Sequence, residues 1–411
     1  MDQEARLACL NAREDGVKDR SCRDASKKTI AVNTGAKRPR NKAACHTVLE
    51  RIGHALLLGA PWWIAFSSLS IAVYFQSGAF RAQSPVIISS TPHHLMTRSQ
   101  KSVFLDLPAR FQWEANFGYC GEISLITAGL YYGQYVSQYD ARAIASPGAD
   151  QADEKSQLLL DENEAAAARA VKLKYQIWPK KGATNDFLIW TKNHLLNDHP
   201  VIWGIYANTK MFKIIPEQGA NYDHIVPVIG FSSSHPITDQ RVYPEDEITF
   251  SDNGSYAQTV AEAPLLWTYP ISRFVYKRKN EPKQPYYLND GELSAMAILG
   301  VQDENNETLR VQVKTNTDRE EPELRDGKRK RPKAMPVTLT ITVFGLQPGV
   351  AYKLYKYTDF ASVPTSHFNA DRRSAAKVMD INISSGWTYE TTETIMSSDI
   401  AIYRAVKASG P

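Results

Sequence analysis

Cysteine is scarce in this chain: it occurs 4 times in 411 residues, and after Cys45 the only one is Cys120. A region with a single thiol has no partner for an intrachain disulfide, which excludes a disulfide-stapled domain for residues 46–411. It also lacks the closely spaced cysteine pairs that are typical of structural zinc sites. Cys120 is therefore either a buried core residue or a thiol with a chemical use.

A strong excess of charge of either sign is also absent. The formal net charge is +4, and the first 51 residues hold 12 Lys and Arg against 7 Asp and Glu. No basic face interleaved with aromatic residues follows, which argues against nucleic-acid binding. With 43% hydrophobic and 22% charged residues the chain is not a disordered protein, and its length allows two folded domains with appendages.

Charged residues are missing altogether from residues 52–80. Within this segment, ALLLGAPWWIAFSSLSIAVYF is long enough to cross ~30 Å of hydrocarbon as a helix. Its N-terminal flank is basic, and positive flanks stay in the cytosol. The sequence thus predicts a basic cytosolic tail over residues 1–51, a single-pass type II transmembrane helix over 52–80, and the rest of the chain in a lumen or outside the cell. A buried helix of a soluble protein and a signal peptide cleaved at QSGAF are the alternatives.

Cys120 stands at a transition from loop to helix, in ANFGYCGEISLITAGLYYGQY. Apolar residues recur after it at helical spacing, which predicts that Cys120 lies in or next to the first turn. Unpaired backbone N–H groups and the positive end of the helix dipole stabilise an anion there, which favours a thiolate. Gly118 and Gly121 add no bulk beside the thiol, and we expect them, together with Tyr119, to contact a substrate backbone.

His224 is the preferred candidate for a base that activates this thiol. It precedes the apolar run at residues 225–229, which predicts a buried strand with the histidine at its entrance. His199 is the competing candidate, although the proline that follows it indicates a turn. Taken alone, His224 fits a structural core histidine equally well.

A third residue comes from DEITFSDNGSY, in which a short strand ends at Ser251-Asp252-Asn253-Gly254. A carboxylate or amide at a strand end can face a histidine on the neighbouring strand, and a plain Asp-Asn-Gly turn is the alternative. Neighbouring side chains on a strand point to opposite faces. Because Asn253 also begins an Asn-X-Ser glycosylation sequon, we expect Asp252 to point inward and Asn253 outward.

The order of QWEANFGYCGE, DHIVPVIGF and ITFSDNG, with NDFLIWTKNHLLNDHPVIWGIY as a helix and strand before the histidine, resembles the papain-like cysteine peptidases. Within them the likeness is greatest to the double-glycine leader peptidases associated with bacteriocin exporters, and it covers roughly residues 100–280. The resemblance implies Cys120 as nucleophile, His224 as general base and acid, and Asp252 as the residue that orients the imidazole. It further implies Gln112 as the donor to the oxyanion, and neither a metal nor a cofactor.

Two features depart from the pattern of that family. Gln112 stands eight residues before Cys120, farther than is usual, which leaves Asn116 as a competing oxyanion donor. Glu122 follows the Cys-Gly pair where the family has proline or a small residue, and this bears on substrate preference.

After Pro282 and Pro285 the pattern changes to alternating apolar and polar residues, in LRVQVKT, VTLTITVFG and YKLYKYT. Alternation of this kind predicts an antiparallel β-sandwich over residues 286–411, behind a peptidase domain over residues 85–282. The turn GLQPGVAY resembles the corresponding turn of fibronectin type III domains. Such a module could contact a protein partner.

Together these features predict an α+β protein: a membrane-anchored, papain-like cysteine peptidase that hydrolyses peptide or amide bonds in a peptide or protein substrate. One alternative is a papain-fold acyl transferase resembling phytochelatin synthase, which has the same Cys-His-Asp order. Another is an inactive papain-fold module that binds a partner. A zinc site made by Cys120, His224 and Asp252 is a third alternative for the same residues.

Overall fold

The computed structural model of the chain describes residues 101–113, 116–180, 183–208, 221–254, 266–276, 286–289, 292–317, 331, 333–370 and 374–408. The predicted cytosolic tail (1–51) and transmembrane helix (52–80) lie outside these residues. Within the described ranges, no helix has the length and apolar character that a membrane crossing needs. All of the described residues belong to one compact unit.

The secondary structure is mixed, and its sheets are mostly antiparallel. The helices are α1 (Cys120–Tyr131), α2 (Gln138–Ala145), α3 (Glu164–Ala170), α4 (Thr184–Leu196) and α5 (Ile271–Phe274), with a 3-10 helix at Glu154–Ser156. The strands are β1 (Ser102–Phe104), β2 (Gln134–Tyr135), β3 (Leu173–Ile177), β4 (Val201–Asn208), β5 (Asn221–Ser232), β6 (Glu247–Ser251), β7 (Leu266–Pro270), β8 (Val275–Tyr276), β9 (Tyr286–Asn289), β10 (Ala295–Val301), β11 (Thr308–Leu309), β12 (Val311–Thr315), β13 (Pro336–Phe344), β14 (Ala351–Tyr357), β15 (Lys377–Asn382), β16 (Thr388–Met396) and β17 (Ala401–Lys407). The predicted α+β class is confirmed.

The larger sheet holds nine of the described strands, in the central order β3-β10-β4-β5-β6-β7. β1 pairs with β5, and β9 pairs with β4 and, in parallel, with β8. Alternate residues of β4 and β5 pack into two different hydrophobic clusters. Ile202 and Ile225 join residues of α1, whereas Trp203 and Val226 join residues of α4. Since both faces are covered, these strands are apolar over most of their length.

α1 is the central helix, and every one of its 12 residues is buried. A helix that is buried on every face needs cover on all sides. α1 receives this cover from β5 of the larger sheet and from β2 and β12, which belong to two smaller sheets. The helix that begins at Cys120 therefore lies between the larger sheet and the smaller ones.

The two smaller sheets are antiparallel, with the orders β11-β17-β14-β15, to which β2 adds beside β17, and β12-β13-β16. Burial alternates along β13 as the sequence pattern predicts, and its inward side chains are Val337, Leu339, Ile341 and Val343. These side chains share one hydrophobic cluster with residues of β14, β17 and α1. The core of the C-terminal strands thus continues to the central helix.

The boundary predicted between residues 282 and 286 does not divide the sheets, and this prediction needs correction. β9 and β10 both pair with β4, so residues 286–289 and 295–301 belong to the larger sheet. Conversely, β2, which lies in the predicted peptidase domain, pairs with β17 of a smaller sheet. The run AMAILGV of β10 is apolar throughout, and such a run carries no periodicity that assigns it to one sheet or another. Among the described strands, those of the smaller sheets resume only at β11.

Candidate active site

Cys120 is the first residue of α1. The first N–H groups of a helix have no partner within it, and the side chain of Tyr119 at the N-cap position does not cap them. The thiol thus lies at the positive end of α1. All three residues are buried, and Cys120, at 6% exposed against 1% for His224 and 0% for Asp252, is the most accessible of them.

The loop before Cys120 is held by a buried arginine that the sequence did not reveal. Arg142 of α2 donates from Nη1 to the carbonyl of Asn116 at 2.8 Å and from Nη2 to the carbonyl of Gly118. Its guanidinium also lies 3.6 Å from the centre of the Tyr119 ring. Asn116 and Gly118 have positive φ angles of 53° and 89°, so their carbonyls point away from the usual directions, and Arg142 binds them there.

Glu122 turns away from the predicted substrate side. Its Oε1 accepts from Arg142 Nε at 2.6 Å and from the backbone N–H of Leu158 at 3.0 Å, and both charged groups are buried. Glu122 therefore stabilises the loop through Arg142, and nothing in this arrangement presents its carboxylate to a substrate.

Gly121 and Tyr119 were predicted to contact substrate, and the structure gives both a different role. A Cβ at Gly121 would lie 2.0 Å from the carbonyl oxygen of Leu158, so glycine is needed for helix α1 to approach that backbone. Tyr119 is 0% exposed and packs edge-on against Trp113 with ring centres 5.0 Å apart. Gly118 is buried as well, and its carbonyl accepts a hydrogen bond from Arg142. These three residues shape the loop rather than form an open substrate surface.

Two hydrogen bonds hold Gln112 against Tyr119, the residue before Cys120, and against Asn253. Its Oε1 accepts from the backbone N–H of Tyr119 at 2.8 Å, and its own N–H donates to the carbonyl of Asn253 at 2.8 Å. With the oxygen engaged, the amide NH₂ is the end that can donate to an oxyanion. Asn116 is the poorer donor, since its Nδ2 already donates to the Tyr119 hydroxyl at 3.2 Å.

His224 lies on β5, opposite Ile205 of β4. Its Nε2 is 3.1 Å from Asp252 Oδ1, and the Cys120 side chain lies near enough to act on its pKa. Burial opposes a charge on the ring, but the hydrogen bonds and charges of Asp252 and Cys120 outweigh it and raise the pKa of His224 to about 9. The structure thus brings together Cys120, His224 and Asp252.

Asp252 follows the end of β6 and is surrounded by donors. Besides His224, its Oδ1 accepts from the N–H of Gly254 at 2.7 Å, while its Oδ2 accepts from Trp267 Nε1 at 3.2 Å and from the Tyr286 hydroxyl. These donors satisfy both oxygens of the fully buried carboxylate and determine its orientation on all sides.

Trp267 and Tyr286 are site residues that sequence reasoning missed. Tyr286 also stacks on His224 with ring centres 6.1 Å apart, and Trp267 packs edge-on against Tyr286 at 5.3 Å. Burial, the Asp252 charge and the hydrogen bond to Asp252 raise the pKa of the Tyr286 hydroxyl, so it remains a donor. Both residues come from distant strands, β7 and β9, and no spacing signal links either of them to Asp252.

Asn253 does not point outward as predicted. It is 1% exposed, and its Nδ2 lies within hydrogen-bond distance of the Ile225 carbonyl (3.0 Å), the Ser124 hydroxyl (2.8 Å) and the Cys120 carbonyl (3.2 Å). The alternation argument fails because β6 ends at Ser251, so neither Asp252 nor Asn253 follows strand geometry. A buried amide with these contacts is closed to a glycan, and it joins α1 to β5 beside Cys120.

His199, the competing base, has other neighbours. Its Nδ1 lies 3.2 Å from Nδ1 of His194, near the end of α4, and burial lowers the pKa of both imidazoles. In the described ranges, no group of three or more His, Cys, Asp or Glu side chains has the arrangement of a metal site.

No family model matches this sequence, and no curated protein matches it with significant similarity.

Proposed function

We propose that this chain is a papain-like cysteine hydrolase that cleaves peptide or amide bonds through an acyl-enzyme. The observation that carries the proposal is the grouping of Cys120, at the positive end of α1, with His224 and its hydrogen-bonded partner Asp252. A histidine with a pKa of about 9 is protonated at neutral pH and places a cation beside the thiol. An imidazolium and a helix N-terminus together favour the thiolate, which is the nucleophilic form of cysteine.

The first half-reaction follows from this arrangement. The Cys120 thiolate attacks the substrate carbonyl, a C–S bond forms, and the negative charge moves to the carbonyl oxygen. The backbone N–H of Cys120 and the Gln112 amide are the donors for that oxyanion. His224 then gives its proton to the leaving nitrogen as the C–N bond breaks.

The second half-reaction regenerates the thiol. His224, now neutral, takes a proton from water, and the resulting nucleophile attacks the thioester. The C–S bond breaks and the carboxylic acid leaves. Asp252 holds the ring through Nε2, so the proton that moves between sulfur, substrate and water is carried by Nδ1. Trp267 and Tyr286 keep Asp252 in place by donating hydrogen bonds to its Oδ2.

The proposal includes the papain-like fold and the membrane anchor. A nucleophile at the start of a buried central helix, with its base and orienting residue on an adjacent antiparallel sheet, supports the papain-like assignment.

The charge-free segment at residues 52–80 and its basic flank support a type II anchor that puts residues 81–411 in a lumen or outside the cell. Protease protection of sealed vesicles tests the orientation: digestion of the C-terminal part with survival of the tail would reverse it.

A search for products tests the activity and separates the alternatives. The full-length chain is incubated with a complex peptide mixture, with and without hydroxylamine as an amine acceptor, and new peptide ends are found by mass spectrometry. A hydrolase gives free carboxyl ends that disappear in Cys120→Ala and persist in the matched control Cys45→Ala. Hydroxamates with little free acid would indicate an acyl transferase, and the absence of Cys120-dependent products would indicate a binding module.

A further inference from the structure

A cavity of about 230 Å³ lies at the end of α1 that is remote from Cys120. α1 has 12 residues and rises ~1.5 Å per residue, which separates the cavity from the thiol by roughly 17 Å along the helix. Its walls come from the end of α1, the turn after α4, and strands β10, β11, β12 and β17. We name it the arginine cavity, because Arg310 and Arg404 both line it.

The guanidinium of Arg310 is fixed in position by aromatic rings but has no anionic partner among the described residues. Its Cζ lies 4.2 Å from the centre of the Tyr131 ring and 4.9 Å from that of Phe344, so two aromatic residues fix it in position. Its Nε is buried and has no hydrogen-bond partner in the described structure. No carboxylate among the described residues forms an ion pair with it. A planar cation with free donors, held by rings, suits an oxyanion.

Arg404 adds a second buried cation. It is 2% exposed, and its terminal nitrogens donate to the carbonyls of Tyr132 and Tyr403 and to Gln134 Oε1. Its Nε is left without a partner in the described structure. Burial lowers the pKa of Arg404 to about 10, and nearby Tyr357 and Asp303 only partly offset this. A buried cation of this kind gains from a counter-charge.

The remaining walls leave the cavity positive. Asp198 is the acidic residue of the lining, and it is exposed, whereas the pKa of His199 is lowered chiefly by burial, so that its ring is neutral at neutral pH. The Tyr132 hydroxyl already has protein partners, since it lies within hydrogen-bond distance of the carbonyls of Asp198 (3.0 Å) and Ile298 (3.1 Å). Two guanidiniums therefore face a single carboxylate at the edge.

We propose that the arginine cavity is a second ligand site, which binds a small molecule bearing a phosphate or carboxylate group through Arg310 and Arg404. The volume suits a ligand smaller than a drug-sized compound. The site is separate from the Cys120 centre, and its existence does not depend on the proposed hydrolase activity.

Equilibrium binding to the full-length chain tests this site with two probes, inorganic phosphate and succinate, each against chloride at matched ionic strength. We expect saturable binding of at least one probe, at one per chain. Arg310→Gln should weaken it at least tenfold. Arg169→Gln should leave it unchanged, because Arg169 also stacks on a tyrosine, Tyr175 at 5.9 Å, but does not line the cavity. Preference for phosphate or for succinate identifies the class of the natural ligand.

Arg310→Lys provides a second test that does not depend on the folding of the glutamine variant. Lysine keeps the positive charge but lacks the planar fork, so affinity should fall while the circular dichroism of the chain is unchanged. The proposal would be overturned if neither probe showed saturable binding at concentrations tenfold above the millimolar range. It would also be overturned if wild type, Arg310→Gln and Arg169→Gln bound the probes with equal affinity.

Discussion

Replacing Asp252 by asparagine tests how the candidate site is charged. The pKa of His224 stands at about 9 in the structure, against an ordinary value of 6.5, and Asp252 is the largest favourable cause of that rise. The difference corresponds to about 3 kcal/mol of preference for the imidazolium. An asparagine keeps the size of the side chain but has no charge. Its NH₂ would also have to face either His224 or the donors of Trp267 and Tyr286.

We therefore expect Asp252→Asn to slow alkylation of Cys120 at pH 7 by roughly 100-fold, because the imidazolium that stabilises the thiolate is largely lost. The assay is the rate of modification by chloroacetamide between pH 5 and 10, measured on the Cys120 peptide by mass spectrometry. Asp303→Asn is the matched control, since Asp303 is also buried and accepts from the N–H and hydroxyl of Thr308. An unchanged pH profile in Asp252→Asn, or an equal change in Asp303→Asn, would refute the charge argument.

Three further predictions concern stability. Arg142→Leu should destabilise the fold by about 3–5 kcal/mol, measured by urea unfolding, because it leaves the Glu122 carboxylate buried and unpaired; a loss below 1 kcal/mol would contradict this. Gly121→Ala should lower the free energy of unfolding by ~1–3 kcal/mol, because the added methyl group would clash with the Leu158 carbonyl. An unchanged free energy of unfolding would show that this backbone can shift to make room. The difference in free energy of unfolding between wild type and His224→Gln should be greatest below about pH 6.5 and decline toward pH 9, because the folded chain binds the His224 proton more tightly than the unfolded chain does. A difference that grows over this pH range would contradict the raised pKa of His224.

Part of the site was predictable because local patterns mark it. Apolar spacing after Cys120 indicates a helix that starts there, and the run after His224 indicates a strand. Asp252 follows a strand end that β-branched and aromatic residues identify. Each of these signals spans only a few residues, so single-sequence reasoning can detect them.

The supporting residues were not predictable for the same physical reason. Arg142, Trp267 and Tyr286 contact the site through the three-dimensional packing of distant elements, and no local pattern encodes those contacts. Asn253 was assigned to the surface because strand alternation was carried past Ser251, where β6 ends. The apolar run of β10 fits any buried strand, so its membership of the larger sheet became visible only from the pairing with β3 and β4.

Burst kinetics with p-nitrophenyl acetate test the central claim most directly, because this activated ester needs no knowledge of the natural substrate. The account predicts one acetyl group per chain as a thioester on Cys120, followed by slow turnover. In His224→Gln the burst should be lost, whereas in the control His235→Gln, a half-exposed histidine paired with Glu245, it should persist. Acetylation of other residues only, or a burst on Cys120 that is indifferent to His224, would contradict the assignment of this site as a cysteine nucleophile with a histidine base.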